Sequence, residues 1–389
     1  MSSDNLILEK WFTRNGLAEG TCKMYRASIS EFKEFVDKSL SELIDEGMKQ
    51  QMESIMPMNR SVNEYIFSFK NYLDKKGNAP GTVNHKIAAI KSFYKAYDIQ
   101  FIDIKTHKGD TVLDKNRGRF IAKEDIRKML DVCNARNKAI IYTMALTGLA
   151  QNEVRNLTIR QFIKYAGLSI GKELETIEDL FAYEDEILED TIIFEIVRQK
   201  VNYRHHFLLP PEATKRIITY LKERYHHRNK NRHIRSLNGP IFITNKGTKM
   251  TRTGIGNEIK RIGKLVGFKS DEEGAYSYWR PHSFRKYFIS TIIRTTGDKL
   301  LADYLVGHRI DETTRSYWIV QPEELKEKYL KVYEHLSIDA VKVNSLKTDD
   351  YKKMENILKE INEQKKIINR LMNDREFIRD YSKVCESSK

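Results

Sequence analysis

The chain has 389 residues, enough for two or three domains with sizeable cores. Hydrophobic residues make up 40% of it and charged residues 31%, a balance that disfavours a disordered chain. No apolar run is long enough to span a membrane, and the first residues lack the pattern of a secretory signal. The 3 cysteines exclude a disulfide scaffold and none belongs to a CxxC pair, so we expect an intracellular protein without a structural zinc site.

The charge indicates the kind of partner. The 68 lysines and arginines exceed the 54 acidic residues by 14. A surplus of this size favours a polyanion, because counterions released from nucleic acid drive much of such binding. The alternative is a merely basic soluble protein.

Residues 1–102 are predicted to form a helical domain. Apolar residues recur at helical spacing over 21–36, with Thr21 as the predicted N-cap, over 61–73, and again after Pro80. Residues 103–119 are polar and basic and are predicted to be a linker.

Three lysines lie between the apolar positions of the third of these helices. Lys86, Lys91 and Lys95 either form a solvated face or bind phosphates, and we predict that they contact DNA. Arg204, in the second domain, is assigned to the same role.

Residues 120–340 are predicted to form a second, mainly helical domain with a small β-sheet, which makes the chain a mainly α protein of the α+β class. The sheet is a hairpin of 191–197 and 206–209, both rich in apolar residues, joined by a basic connection. The acidic stretch 165–190 gives no clear pattern.

Residues 341–389 are predicted to form a helical tail. Tyr351, Leu358, Lys365 and Met372 share one heptad position, which is typical of a short coiled coil. A single amphipathic helix packed on the body of the protein explains the pattern equally well.

Five side chains of the second domain suit one kind of chemistry. Tyr317 carries a hydroxyl with an ordinary pKa of about 10, so its nucleophilic attack needs help. Arg285 can grip a phosphate, and His282 lies three residues earlier on about the same helix face. His308 follows a glycine that permits close approach. Lys200, in the basic connection, can protonate a leaving oxygen. Together they suit attack on a phosphodiester without a metal or other cofactor.

The order and spacing of these residues resemble the tyrosine recombinases, or phage-type integrases. That family shows TGLR-x-x-E, a hairpin lysine, HxxR, GH and a tyrosine about nine residues later. Here the corresponding segments are 147–153 (TGLAQNE), 282–285 (HSFR) and 306–308 (VGH). The resemblance spans roughly residues 5–340. It implies that Lys200 is the general acid, that His282, Arg285 and His308 bind the phosphate, that Tyr317 is the nucleophile, and that Glu153 orients its neighbours.

The resemblance also implies a reaction and its partners. A helical core-binding domain and the catalytic domain would clamp double-stranded DNA at a specific site. Tyr317 would form a 3′-phosphotyrosine and release a 5′-hydroxyl, and strands would be exchanged in two rounds through a Holliday junction. The active form would be a homotetramer on two DNA sites, acting in the cytoplasm at the nucleoid. A helix over 324–336 would dock on a neighbouring subunit.

One position departs from the family. The first catalytic arginine is expected at 150, where this chain has alanine. Loss of one transition-state donor costs about 10²–10³ in rate. The alanine is an engineered substitution, a natural impairment, or is compensated by a nearby base such as Arg155 or Arg160. We favour the first, because every other motif member is present and Arg155 falls on a different helix face.

Other functions stay open at this point. Ala150 supports a catalytically inactive DNA-binding relative of the family. Type IB topoisomerases and telomere resolvases use the same tyrosine chemistry, although the helices of residues 21–94 favour a recombinase. A basic helical protein that matches the motifs by chance is the remaining alternative.

Overall fold

The computed structural model describes residues 3–107, 120–198, 203–269, 277–317, 321–339 and 364. The chain divides into two compact units, Met1–Arg117 and Gly118–Lys389. This division falls within the predicted linker, and the finer limits of the predicted segments stay predictions. Within the described residues, every helix is either too short or too polar to cross a lipid bilayer.

The first unit is helical. It contains α1 (Ser3–Arg14), α2 (Glu19–Val36), α3 (Leu40–Met52), α4 (Ser61–Lys75) and α5 (Pro80–Ala96).

Large aromatic residues fill the core of this unit. Trp11, Phe32, Phe69 and Phe93 are fully buried there. The predicted N-cap at Thr21 is wrong, because its backbone N–H already bonds to the carbonyl of Ala18 (2.8 Å), inside the first turn of α2.

The second unit is mainly helical with one two-stranded sheet, so the predicted fold class is confirmed. Its elements are α6 (Lys123–Asp131), α7 (Ala135–Thr147), α8 (Gln151–Asn156), α9 (Ile159–Ser169), α10 (Ile177–Ala182), α11 (Glu184–Ile187), β1 (Ile192–Arg198), β2 (Tyr203–Leu209), α12 (Pro211–Tyr225), α13 (Arg252–Leu265), α14 (Pro281–Thr296), α15 (Lys299–Leu305), α16 (Glu312–Tyr317) and α17 (Pro322–Leu336).

Helix α7 is the centre of the second unit. All of its residues except Ala135 and Lys138 are buried, and it packs against α12 and α14. It ends at Gly148, whose φ of +68° is left-handed. A Cβ at this position would come within 2.5 Å of the Phe288 ring, so only glycine fits both the backbone and the space. This turn leads directly into α8.

The predicted hairpin is present. Strands β1 and β2 pair antiparallel, with Arg198 opposite Tyr203 and Glu195 opposite His206. Strand β2 begins at residue 203, three residues before the predicted 206. The alternation of buried and exposed residues already starts there, with Tyr203 and His205 buried on one face of the strand. The acidic stretch 165–190 is largely helical and contributes buried Ile177, Leu180 and Ile187 to the core.

Helix α17 does not extend away from its own unit, contrary to the expectation of docking on a neighbour. Its apolar face, Leu325, Tyr329, Val332, Tyr333 and Leu336, is buried in the core of the second unit. The Tyr329 hydroxyl donates to the carbonyl of Leu146 at the end of α7 (2.8 Å). The heptad residues of the predicted tail lie outside the described residues.

Replacing Tyr329 with alanine should therefore destabilise the second unit. The change removes a fully buried ring and a hydrogen bond, so we expect the free energy of unfolding to fall by about 3–5 kcal/mol. Urea denaturation measures it. Glu327→Ala, on the exposed face of the same helix, is the matched control and should change it by less than about 0.5 kcal/mol. A small effect of Tyr329→Ala would contradict this packing.

Candidate active site

Glu153 links the parts of the candidate site. It lies in the first turn of α8, and its Oε2 accepts the backbone N–H of Ala150 (2.6 Å), which fixes the start of the helix. The same Oε2 is 3.6 Å from Nη1 of Arg285. The other oxygen, Oε1, is 3.0 Å from Nε of Arg198. One carboxylate thus contacts two guanidinium groups and the backbone of residue 150.

Arg285 joins three of the predicted motifs. It lies in the second turn of α14 and is almost completely buried. Its Nη1 donates to the carbonyl of Gly148 (2.9 Å) and its Nη2 to that of Val306 (2.5 Å). Burial lowers the pKa of Arg285 to about 10, against the opposing effect of Glu153, so the group stays charged at neutral pH. The TGLA, HSFR and VGH segments are therefore brought together by one side chain.

His282 lies in the first turn of α14, with its side chain partly exposed and partly desolvated. Desolvation, together with the cations Arg280, Lys286 and Arg285, lowers its pKa to about 4. The ring is neutral at physiological pH and can both donate and accept one hydrogen bond. The cations around it form a positive environment that suits an anionic ligand.

His308 follows Gly307, whose φ is +65°. A Cβ on Gly307 would approach the buried ring of His205 to 2.5 Å, so this glycine is also required. His308 Nδ1 lies 2.7 Å from Oδ1 of Asp303, and among the described residues its Nε2 makes no hydrogen bond. Asp303 therefore orients His308, a role that the sequence motifs did not indicate.

Two predicted residues fall wholly or partly outside the described structure. Tyr317 is the last residue of α16, and its side chain lies outside the described part of the structure. Lys200, in the hairpin connection, also lies outside the described residues. Their roles as nucleophile and general acid stay predictions.

The predicted DNA-binding cations differ in their surroundings. Lys86 pairs with Glu31 (2.5 Å), and Lys91 pairs with Asp103 (2.7 Å). Lys95 is exposed. Arg204 lies 3.4 Å from Glu195, and its side chain is 67% exposed.

Two bases proposed as substitutes for the missing arginine make contacts elsewhere. Arg155 Nε donates to the carbonyl of Met250 (3.1 Å), and Arg160 Nε donates to the side chain of Asn238 (2.7 Å). Arg198, by contrast, reaches Glu153. The sequence analysis assigned residue 198 to the basic connection of the hairpin. It therefore identified the charge of Arg198 but not its position at the end of β1.

The comparisons with known proteins identify the family of this chain. A model of the phage integrase family matches residues 119–324, more than half of the chain. The chain therefore belongs to this family, the tyrosine recombinases, which are enzymes that cleave and rejoin DNA strands. The resemblance read from the motifs is confirmed.

Particular relatives are distant in sequence. Tyrosine recombinase XerA of Saccharolobus solfataricus is 20% identical over 318 residues, which cover 81% of this chain and 88% of that protein. Tyrosine recombinase XerD of Listeria innocua is 24% identical over 340 residues, 83% of this chain and 94% of that protein. A solved lambda integrase tetramer bound to a Holliday junction is 12% identical with a TM-score of 0.51, covering 81% of this chain and 79% of that one, and shares the fold.

Proposed function

We propose that this chain is a site-specific DNA recombinase acting through a tyrosine–phosphate intermediate. The observation that carries the proposal is the convergence of the Gly148, Glu153, Arg285 and Val306 positions, which the chain separates widely, through contacts of 2.5–3.6 Å. A buried cation held at this point, beside two histidines, fits a phosphodiester.

The proposed reaction assigns a role to each residue. Tyr317 bonds through its oxygen to the scissile phosphorus and releases its phenolic proton to solvent water. The bond to the 5′ oxygen breaks, and Lys200 protonates that oxygen. Arg285, His282 and His308 stabilise the negative charge that develops on the phosphate. Glu153 and Asp303 position Arg285 and His308. The 5′-hydroxyl of a partner strand then displaces the tyrosine, so the phosphoester energy is retained.

The partners follow from the same proposal. The substrate is double-stranded DNA with specific recombination sites, and the lambda integrase tetramer on a Holliday junction supports a homotetramer as the active form. The protein would act in the cytoplasm, at the nucleoid. Lys95 and Arg204 are the predicted DNA contacts whose exposure fits that role directly. Lys86 and Lys91 would have to exchange their carboxylate partners for phosphates.

Covalent capture tests the function. Binding sites are first selected from randomised duplexes, and a nicked suicide duplex of the selected sequence is then incubated with the native chain and with Ala150→Arg. A protein–DNA adduct that survives SDS is expected from at least one of the two. If neither reacts on a duplex that both bind, the chain is a non-catalytic DNA-binding relative, the second function that Ala150 favours.

A relaxation assay separates the topoisomerase alternative. A recombinase should resolve or join paired selected sites and should not efficiently relax a supercoiled plasmid that lacks them. Fast relaxation of such a plasmid by a chain that does not recombine paired sites would favour a type IB topoisomerase.

Binding to duplex DNA should depend steeply on salt. If the interface neutralises about 6–10 phosphates, affinity falls by about 10³–10⁵ between 50 and 200 mM salt. Fluorescence anisotropy with the selected duplex measures the slope. An affinity that is nearly constant over this range would contradict a DNA clamp based on phosphate contacts.

A further inference from the structure

Arg198 places a second guanidinium in the candidate site. It is the last residue of β1. Its Nε lies 3.0 Å from Oε1 of Glu153, and its Nη1 donates to the carbonyl of Gly307 (2.7 Å). Its side chain is 18% exposed. The group is therefore fixed at two points and remains accessible to solvent.

The charges around Glu153 are not balanced. Arg198 and Arg285 contribute two positive charges, and Glu153 contributes one negative charge. Burial, together with the positive charge of Arg198, lowers the pKa of Arg285 and of the His205 ring. The two guanidiniums exceed the Glu153 carboxylate by one positive charge, which suits a phosphodiester with its one negative charge, and the Asp303 carboxylate is paired with His308.

The donors of Arg198 are not all used. Within the described part of the chain, its Nη2 makes no hydrogen bond, whereas both Nη atoms of Arg285 donate to backbone carbonyls. A guanidinium held through Nε and Nη1 keeps its planar fork oriented, so a phosphate oxygen can bind at Nη2 with little loss of side-chain entropy.

We propose that Arg198 binds the scissile phosphate and supplies the guanidinium that position 150 lacks. Positions 150 and 198 contact the same carboxylate, because the backbone N–H of Ala150 and Nε of Arg198 both lie against Glu153. The backbone of an arginine at position 150 would lie beside the Glu153 carboxylate. Arg198 contacts the same carboxylate from the end of β1. The inference rests on the proposed function and makes the chain with Ala150 a competent enzyme.

Four chains test the proposal in the covalent capture assay: native, Arg198→Gln, Ala150→Arg, and the double variant Ala150→Arg with Arg198→Gln. The native chain should form the adduct. Arg198→Gln, which keeps a donor for the Gly307 carbonyl, should slow adduct formation by about 10²–10³. The double variant should recover most of that rate, because the guanidinium returns from the other position. Arg294→Gln, at an exposed position in the last turn of α14, is the matched control and should react at the unsubstituted rate.

Three outcomes overturn the proposal while leaving the recombinase function standing. In the first outcome, the chain with Ala150 forms no covalent adduct under conditions in which Ala150→Arg forms one. Arg198→Gln reacts within about threefold of the native rate, where loss of a charged donor is expected to cost far more. Arg198→Gln is slow but Ala150→Arg does not rescue it, which would make Arg198 a support for Gly307 only. If no chain reacts on a duplex that all bind, the function itself fails and this proposal fails with it. Thermal unfolding of each variant identifies any rate loss caused by misfolding.

Discussion

Tyr317→Phe should abolish the covalent protein–DNA adduct and leave duplex affinity within about twofold. Phenylalanine keeps the ring and removes only the hydroxyl that would bond to phosphorus, so the nucleophile is lost without a change in charge. The assay uses whichever chain reacts, native or Ala150→Arg, and measures SDS-stable adduct and equilibrium binding in parallel. Tyr225→Phe, which removes an exposed hydroxyl bonded to Glu178, is the matched control and should retain the adduct.

The site of attachment can be located independently of mutation. Trypsin should release residues 316–326 (SYWIVQPEELK) as one peptide, and Tyr317 is its single tyrosine. After nuclease digestion of the adduct, mass spectrometry should find the remaining nucleotide on this peptide. A nucleotide on any other peptide, or an adduct that persists in Tyr317→Phe, would show that the nucleophile has been misassigned.

The sequence could predict which segments come together, because the residues concerned lie at fixed spacings in short motifs. Gly148, Arg285 and Gly307 were all visible as parts of TGL, HxxR and GH patterns. The structure explains these patterns physically: the left-handed glycines allow close packing against Phe288 and His205. Arg285 bonds to the carbonyls of Gly148 and Val306.

The contribution of Arg198 could not be predicted in the same way. Whether a basic residue near a turn points into a site depends on the strand register, and a shift of one residue reverses the side. The pairing of Arg198 with Tyr203 sets that register. The role of Asp303 depends likewise on how α15 ends, since it contacts His308 through both its backbone and its carboxylate.

The sequence also could not predict which surface the apolar face of α17 packs against. An amphipathic helix shows that one face needs a partner, but periodicity does not tell whether the partner is the same chain or another. In this structure Tyr329 contacts Leu146 at the end of α7, so the apolar face of α17 packs against its own unit. Oligomerisation through this apolar face would require the helix to leave its own core.

Glu153→Gln should cause the largest loss of stability among single changes at the site. The substitution preserves the size of the side chain and removes the carboxylate that, among the described residues, contacts both Arg285 and Arg198. The side chain of Arg285 is only 4% exposed, so its buried charge would lose its contacting carboxylate and keep only the electrostatic effect of Asp303. Breaking such a pair costs about 3–5 kcal/mol, and Arg285 should account for most of it because Arg198 can be partly solvated.

Urea denaturation of Glu153→Gln and of the exposed control Glu327→Gln measures this cost, with the control expected within about 0.5 kcal/mol of the native chain. An anion should partly repair the variant, because inorganic phosphate bound between the two guanidiniums stabilises the folded state by mass action. We therefore expect phosphate to raise the unfolding midpoint of Glu153→Gln more than a chloride solution of equal ionic strength does. A loss below about 1 kcal/mol would mean that the backbone carbonyls of Gly148 and Val306 alone compensate the charge of Arg285. In that case Glu153 would serve chiefly to start helix α8 through the Ala150 N–H.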